Sequence, residues 1–193
     1  FIMKRIMTLI ILISSCFFIL TAFSYGNKEE KNRVIVYGDF KCPYCKKLEK
    51  EIMPKLEEEY INTGKADFQF VNMAFLGLDS IRGSRAGHAV ENIAPSEYLK
   101  FQKLMFSQQP NNEKEWITYQ LIDCQIDKLN ITNNQKFKIK KDYKMINSQS
   151  WKDAQKDQRI YKENNIQEAP TVVINGKEIQ DVYDYKEYKK YLK

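Results

Sequence analysis

A chain of 193 residues is long enough to bury one real core, or one core that carries an insertion. Hydrophobic residues make up 43% and charged residues 29%, which excludes a disordered chain. The net charge of +6 comes from 31 Lys and Arg scattered among 25 Asp and Glu. That scatter argues against a nucleic-acid partner and describes a solvated surface with a weak lean toward anionic membranes.

The first predicted element is a targeting segment. Lys4 and Arg5 precede a run from Ile6 to Phe23 that is apolar except at Thr8, Ser14, Ser15, Cys16 and Thr21. As a helix it would span roughly 27 Å, close to the ~30 Å hydrocarbon core of a bilayer. Residues 1–26 are therefore read as a signal peptide or an N-terminal membrane anchor. Ala22-Phe23-Ser24 offers a small-x-small cleavage pattern. Ile13-Ser14-Ser15-Cys16 resembles a lipoprotein box, although the residues after it stay apolar where a mature lipoprotein turns polar. The remainder of the chain is thus expected outside the cytoplasm, secreted or anchored to the outer face of the cytoplasmic membrane.

After a polar tether at Asn27 to Asn32, Arg33 to Phe40 reads as a buried strand around Val34, Ile35, Val36 and Tyr37. From Pro43 to about Asn62, Leu48, Ile52, Met53, Leu56 and Tyr60 recur at helical spacing. Pro43 suits the first turn, Pro54 should kink the helix, and Thr63-Gly64 ends it. Ala66 to Phe75 alternates as a second strand. Ser80 to Asn165 carries almost no strand signal. Tyr98, Phe101, Leu104 and Met105 form one helical stripe, and Trp116, Tyr119, Leu121, Ile122, Ile126 and Leu129 another. Shorter charged helices follow at Phe137 to Ile146 and Ser150 to Tyr161. Strand character returns at Thr171 to Ile174; Asn175-Gly176 is a type I′ hairpin signal, and Tyr183 to Leu192 is an amphipathic helix. The predicted fold is α/β: residues 33–76 and 166–193 form a thioredoxin-like domain with a central mixed sheet, and 77–165 an inserted helical domain.

Four cysteines are too few for a framework of structural bridges. Cys42 and Cys45 stand together in Cys42-Pro43-Tyr44-Cys45, at the junction of the first strand and helix. Disulfide exchange is carried by thiolates. The helix N-terminus and the Lys41 cation should lower the Cys42 pKa into the roughly 3.5–7.5 range of reactive cysteines. Cys45, one turn further in, can close a small ring; Cys42 should be exposed and Cys45 more buried. Structural zinc would need two more ligands, for which only Cys124 and the sole histidine, His88, remain, so no metal and no cofactor is expected. Pro170, directly before the third strand, cannot donate to a ladder. Together with the cysteine pair it is expected to follow a cis bond to Ala169.

Gly38-Asp39-Phe40-Lys41-Cys42-Pro43-Tyr44-Cys45, with Ala169-Pro170-Thr171, resembles the DsbA-like branch of the thioredoxin superfamily, and in particular its Gram-positive BdbD-type members. The resemblance runs from about residue 33 to the end. It implies a protein-disulfide oxidoreductase that donates a disulfide to reduced exported proteins and is reoxidised by a DsbB-like, quinone-linked membrane oxidase. It matches Cys42 to the nucleophile, Cys45 to its partner in the redox-active disulfide, Pro43 and Tyr44 to the variable dipeptide, and Pro170, between Ala169 and Thr171, to the cis-proline. Val36 departs from it, standing where some members carry a buried acid; Asp39 is nearer to the pair. His88 and Cys124 are read as structural, Cys124 as a buried inert thiol, and Glu57, Glu58 and Glu59 as a solvated helix face. Two rivals stay open: a reductase or isomerase of the same fold, separated by its redox potential, and a non-enzymatic thiol metal carrier, separated by tight metal binding without exchange activity.

Overall fold

Strand β1 (Asn32–Gly38) is the axis of the molecule. In the computed structural model, which describes residues 31–112 and 114–193, it lies inside a sheet of order β2-β1-β3-β4. Strand β2 (Ala66–Asn72) runs parallel to it, with Val34 beside Phe68 and Val36 beside Phe70. Strand β3 (Thr171–Ile174) runs antiparallel on the other side, with Val36 beside Val172, and the two-residue β4 (Lys177–Glu178) closes the hairpin. Asn175 and Gly176 take the positive φ values (50° and 79°) that the type I′ signal requires. The leader lies outside the described residues.

A central strand must be covered on both faces. Val34 and Val36 enter the main core, while Tyr37 joins Val71 and Met73 in a second cluster. On the main-core side α1 (Pro43–Glu51) follows β1 and stops at Ile52. A new short helix α2 (Met53–Leu56) begins there, with Pro54 in its first turn, followed by one π-turn at Glu57–Ile61. This corrects the expectation of one kinked helix. A proline lacks only a donor that a first turn does not use, so the chain restarts at Pro54.

Helix α3 (Leu78–Ile93) carries no large apolar stripe in the sequence. Its buried face is made of Ser80, Gly83, Ser84, Ala86, Gly87, Ala89 and Val90. A side chain at Gly83 would meet the Phe40 ring at 3.1 Å and Ile117 at 3.2 Å, so the small residues set how close the helix approaches. Helices α4 (Tyr98–Ser107), α5 (Tyr119–Asp127), α6 (Asn133–Asp142) and α7 (Gln149–Glu163) follow. Thr118, Thr132 and Ser148 cap α5, α6 and α7 with side-chain oxygens. Trp116, expected on the α5 stripe, precedes that cap and lies in the loop. Helix α8 (Tyr185–Tyr191) starts at its Asp184 cap and ends the fold.

Phe101, Ile122, Ile126 and Ile139 from the helical segment share one apolar cluster with Val34, Val36 and Val172 from the sheet. Phe40 sits at its middle, with ring centroids 5.7 Å from Phe70, 5.2 Å from Phe106 and 6.4 Å from Phe101. Among the described residues no helix is long and apolar enough to cross a membrane.

Candidate active site

The chain leaves β1 at Gly38, turns through Asp39-Phe40-Lys41 and enters α1 at Pro43. The turn is held by Asp39, whose buried carboxylate accepts four hydrogen bonds. Oδ1 takes the Lys41 N–H (2.8 Å) and the Ser80 hydroxyl (2.7 Å); Oδ2 takes the Phe75 and Leu76 N–H groups (2.9 and 3.1 Å). A carboxylate so occupied braces the loop. Val36, where an acid could have stood, is buried among apolar side chains.

Cys42 is the N-cap of α1, in extended conformation (φ −72°, ψ 119°), and its Sγ accepts the Cys45 N–H at 3.4 Å. From the far end of the chain, Ala169 brings its carbonyl oxygen within 3.3 Å of the same sulfur, which donates to it. The Ala169–Pro170 bond is cis. Thr171 opens β3 and its hydroxyl donates to the Glu168 carbonyl at 2.9 Å, tying that loop down. All seven residues singled out from the sequence, Cys42, Pro43, Tyr44, Cys45, Ala169, Pro170 and Thr171, meet at one place. Both thiols are free in the structure.

Two expectations need correction. Cys42 is not open to solvent: it is 4% exposed against 1% for Cys45, because the Ala169-Pro170 loop lies over it. Lys41 does not serve Cys42 as a cation. Its Nζ is 2.9 Å from Asp79 Oδ1 in a pair that is 7% and 0% exposed, and Asp79 also accepts the Trp116 N–H at 2.9 Å. A salt bridge taken out of water needs both partners, so Lys41 is held where it locks the α3 and Trp116 segments to the turn.

The Cys42 thiol is still pulled below its ordinary value. The Cys45 side chain hydrogen-bonded to it contributes most; burial opposes, and the Cys45 and Tyr44 N–H groups add to the lowering. Cys45 is pushed well up, by burial first and then by Cys42 itself. One sulfur is stabilised as thiolate and its neighbour as thiol, which is the division of labour that directional exchange needs.

Three further groups frame the pair. Tyr44 is 64% exposed beside it. The Tyr183 hydroxyl donates to the Tyr44 carbonyl at 3.1 Å, and the Lys47 ammonium lies 4.1 Å over the Tyr183 ring. In the sequence Tyr183 looked like the first residue of a surface helix; only the tertiary fold shows that it precedes α8 and reaches α1. Glu49, one turn beyond Cys45, is buried, accepts a hydrogen bond from Gln102 Nε2 at 2.8 Å, and is raised to about 7, chiefly by burial. It was missed because a glutamate among lysines reads as solvated.

His88 has the structural environment expected of it. Its Nε2 is 2.9 Å from Asp157 and its Nδ1 3.4 Å from Glu91. Cys124 is exposed, not buried. Glu59 pairs with Lys189 at 2.9 Å on the surface.

A mixed sheet with this strand order, a helix starting on the cysteine pair, and a cis-proline loop facing it define a thioredoxin-like thiol-disulfide oxidoreductase. The comparisons agree. The family model described as Thioredoxin matches residues 20–193. Disulfide bond formation protein D of Bacillus subtilis (strain 168) is 32% identical over 164 residues, 85% of this chain and 72% of that one. A probable disulfide bond formation protein D of Bacillus anthracis is 32% identical over 157 residues, 81% and 70% of the two chains. The crystal structure of oxidised BdbD from Bacillus subtilis superposes with a TM-score of 0.73 at 30% identity, covering 86% of this chain and 88% of that one. The α-DsbA2 structure from Wolbachia pipientis, at 17% identity and a TM-score of 0.66 over 87% and 85% of the chains, shares the fold. The chain belongs to the thioredoxin family and is a protein-disulfide oxidoreductase similar to the Bacillus disulfide bond formation protein D.

Proposed function

We propose that Cys42 and Cys45 form the redox-active disulfide, that Cys42 is the attacked sulfur, and that the protein donates this disulfide to reduced exported proteins outside the cytoplasmic membrane. The single observation that carries the reading is the seat of Cys42 Sγ, between the N–H groups at the start of α1 and the Ala169 carbonyl before cis-Pro170.

A substrate thiolate attacks Cys42 Sγ. The Cys42–Cys45 bond breaks and its electron pair leaves with Cys45, which takes up a proton readily because burial disfavours its thiolate. A second substrate thiolate then attacks the substrate sulfur of the mixed disulfide and expels Cys42 as the stabilised thiolate. Two electrons pass from substrate to enzyme. The loop at Ala169, Pro170 and Thr171 aligns an extended substrate segment as an added strand, with Pro43 and exposed Tyr44 on the opposite lip. The leader supports an extracytoplasmic site. Reoxidation falls to a quinone-linked membrane partner of the DsbB type, which takes the two electrons back.

Direction is tested by equilibrating the purified protein with glutathione buffers. A couple more oxidising than the roughly −180 mV of an isomerase is expected; one near the roughly −270 mV of thioredoxin would make the protein a reductase. Offered a disulfide-bonded substrate, Cys45→Ser should attack it through Cys42 and retain the mixed disulfide, expelling the substrate's other sulfur as a thiolate, whereas Cys42→Ser should abolish exchange.

A further inference from the structure

We propose that Tyr183 is a positioning residue for the Cys42 thiolate, acting through the peptide group that joins Tyr44 to Cys45. The proposal rests on Cys42 being the attacked sulfur. The Tyr183 hydroxyl donates to the Tyr44 carbonyl oxygen at 3.1 Å. The N–H at the other end of that same peptide belongs to Cys45 and donates to Cys42 Sγ at 3.4 Å. One planar, resonance-coupled unit therefore carries both bonds. A donor on its oxygen draws electron density from its nitrogen and makes the N–H a stronger donor. Such strengthening amounts to about 10–30% per bond, and it acts more on a thiolate than on a thiol because the bond to the thiolate is charge-assisted. The thiolate exists only in the reduced enzyme, so the Tyr183 bond favours the reduced form and makes the disulfide a better donor.

The surroundings keep this hydroxyl in place. Tyr183 lies in the loop between β4 and α8, far along the chain from Tyr44. The Lys47 ammonium over its ring, 4.1 Å from the centroid, fixes the ring against α1. Burial, followed by the charges of Cys45 and Cys42, pushes the phenol up to about 12. The hydroxyl thus remains a donor at any working pH and stands within the field of both sulfurs.

The experiment compares the protein with its Tyr183→Phe variant, which keeps the ring under Lys47 and removes only the donor. Two readouts are taken: the pH profile of thiolate ultraviolet absorbance for Cys42, and the equilibrium constant against glutathione. Tyr183→Phe is expected to raise the Cys42 pKa by about 0.3–0.7 and to make the couple about two- to fivefold less oxidising. A ring-fluorinated tyrosine at position 183, a stronger donor that keeps the hydroxyl and the ring in place, should move both readouts the opposite way, and reads the effect even if the phenylalanine variant is poorly folded. Unchanged readouts in both variants overturn the role of Tyr183 and leave the Cys42 reading intact. A parent protein whose Cys42 titrates in the ordinary thiol range overturns the Cys42 reading and this proposal with it; that measurement comes first and separates the two.

Discussion

Two buried carboxyl groups stand near the cysteine pair, and replacing either by its amide is expected to act in opposite directions. Asp39 accepts two N–H groups on one oxygen, and an N–H and a hydroxyl on the other. An amide there would point its own NH2 at donors. Asp39→Asn should therefore cost about 2–4 kcal/mol, read as a lower denaturant midpoint with the slope unchanged. Glu49 has one donor, Gln102 Nε2, while Gln102 Oε1 is buried without a partner. Burial raises its pKa from 4.5 to about 7. The folded protein thus binds this proton more tightly than the unfolded chain does. The stability it contributes is full below the unfolded pKa and is lost as pH rises through the folded one. Glu49→Gln stays neutral and can offer its NH2 to Gln102 Oε1. It should be more stable than the parent by about 3 kcal/mol at about pH 8, and show no advantage at about pH 4; chemical denaturation at the two pH values checks this. Cys42, Cys45 and Pro170 were legible because their spacing and neighbours carry the signal. Glu49 and the true partner of Lys41 were not, because a charged residue's burial is decided by what packs over it from elsewhere in the chain.

At the scale of elements, the junction of β1 and α1 depends on how closely three elements approach it. Gly38 ends β1 where a Cβ would stand 2.7 Å from two Phe70 ring atoms and 3.2 Å from Cys45 Sγ. Overfilling a packed site costs about 1–3 kcal/mol. Gly38→Ala is expected to lower Tm by roughly 2–10 °C, and, because the displaced atoms include the Cys45 sulfur, to slow exchange as well; calorimetry and a disulfide-exchange assay read the two effects separately. The same logic explains α3. Helices that bury leucine and phenylalanine announce themselves by a stripe, as α4 and α5 do. Helix α3 buries glycine, alanine and serine so that Phe40 can fill the space instead, and so it left no apolar period to find. The break at Ile52 was also hidden: a proline marks that a helix is interrupted, but whether it kinks or restarts depends on the packing around it.

Over the whole molecule, Asp157 on α7 joins three elements. Its carboxylate accepts the Asn72 N–H at the end of β2 at 2.8 Å and lies 2.9 Å from His88 on α3. Burial alone would lower the His88 pKa, but Asp157 and then Glu91 overcome it and raise the group to about 9 from 6.5. A histidine raised on folding contributes stability that is complete below its unfolded pKa and is lost as pH rises through the folded value. The window is therefore from about pH 6.5 to about 9, a decline of about 2–3 kcal/mol. His88→Gln should remove that decline, so that the parent and the variant converge above about pH 9; denaturation followed across this range tests it. Exchange activity of the folded protein should change little, since His88 touches neither cysteine nor the Ala169-Pro170 loop.

The sequence by itself determined the strand–helix–strand opening, the Asn175-Gly176 hairpin, the closing helix and the cysteine pair at a helix start. These follow from local periodicity, turn chemistry and caps, which act over a few residues. It also marked Pro170, because a proline before a strand is a local anomaly. Only the tertiary structure decided that Cys42 is covered, that Lys41 pairs with Asp79 and not with the thiolate, that Cys124 faces solvent, and that Tyr183 reaches the Tyr44 carbonyl. The cover on Cys42, the Lys41–Asp79 pair and the Tyr183–Tyr44 bond each depend on a contact between segments tens to more than a hundred residues apart, and the exposure of Cys124 on no segment packing over it. The strength and sign of an electrostatic or packing effect are set by distance and burial in space, which no local pattern encodes.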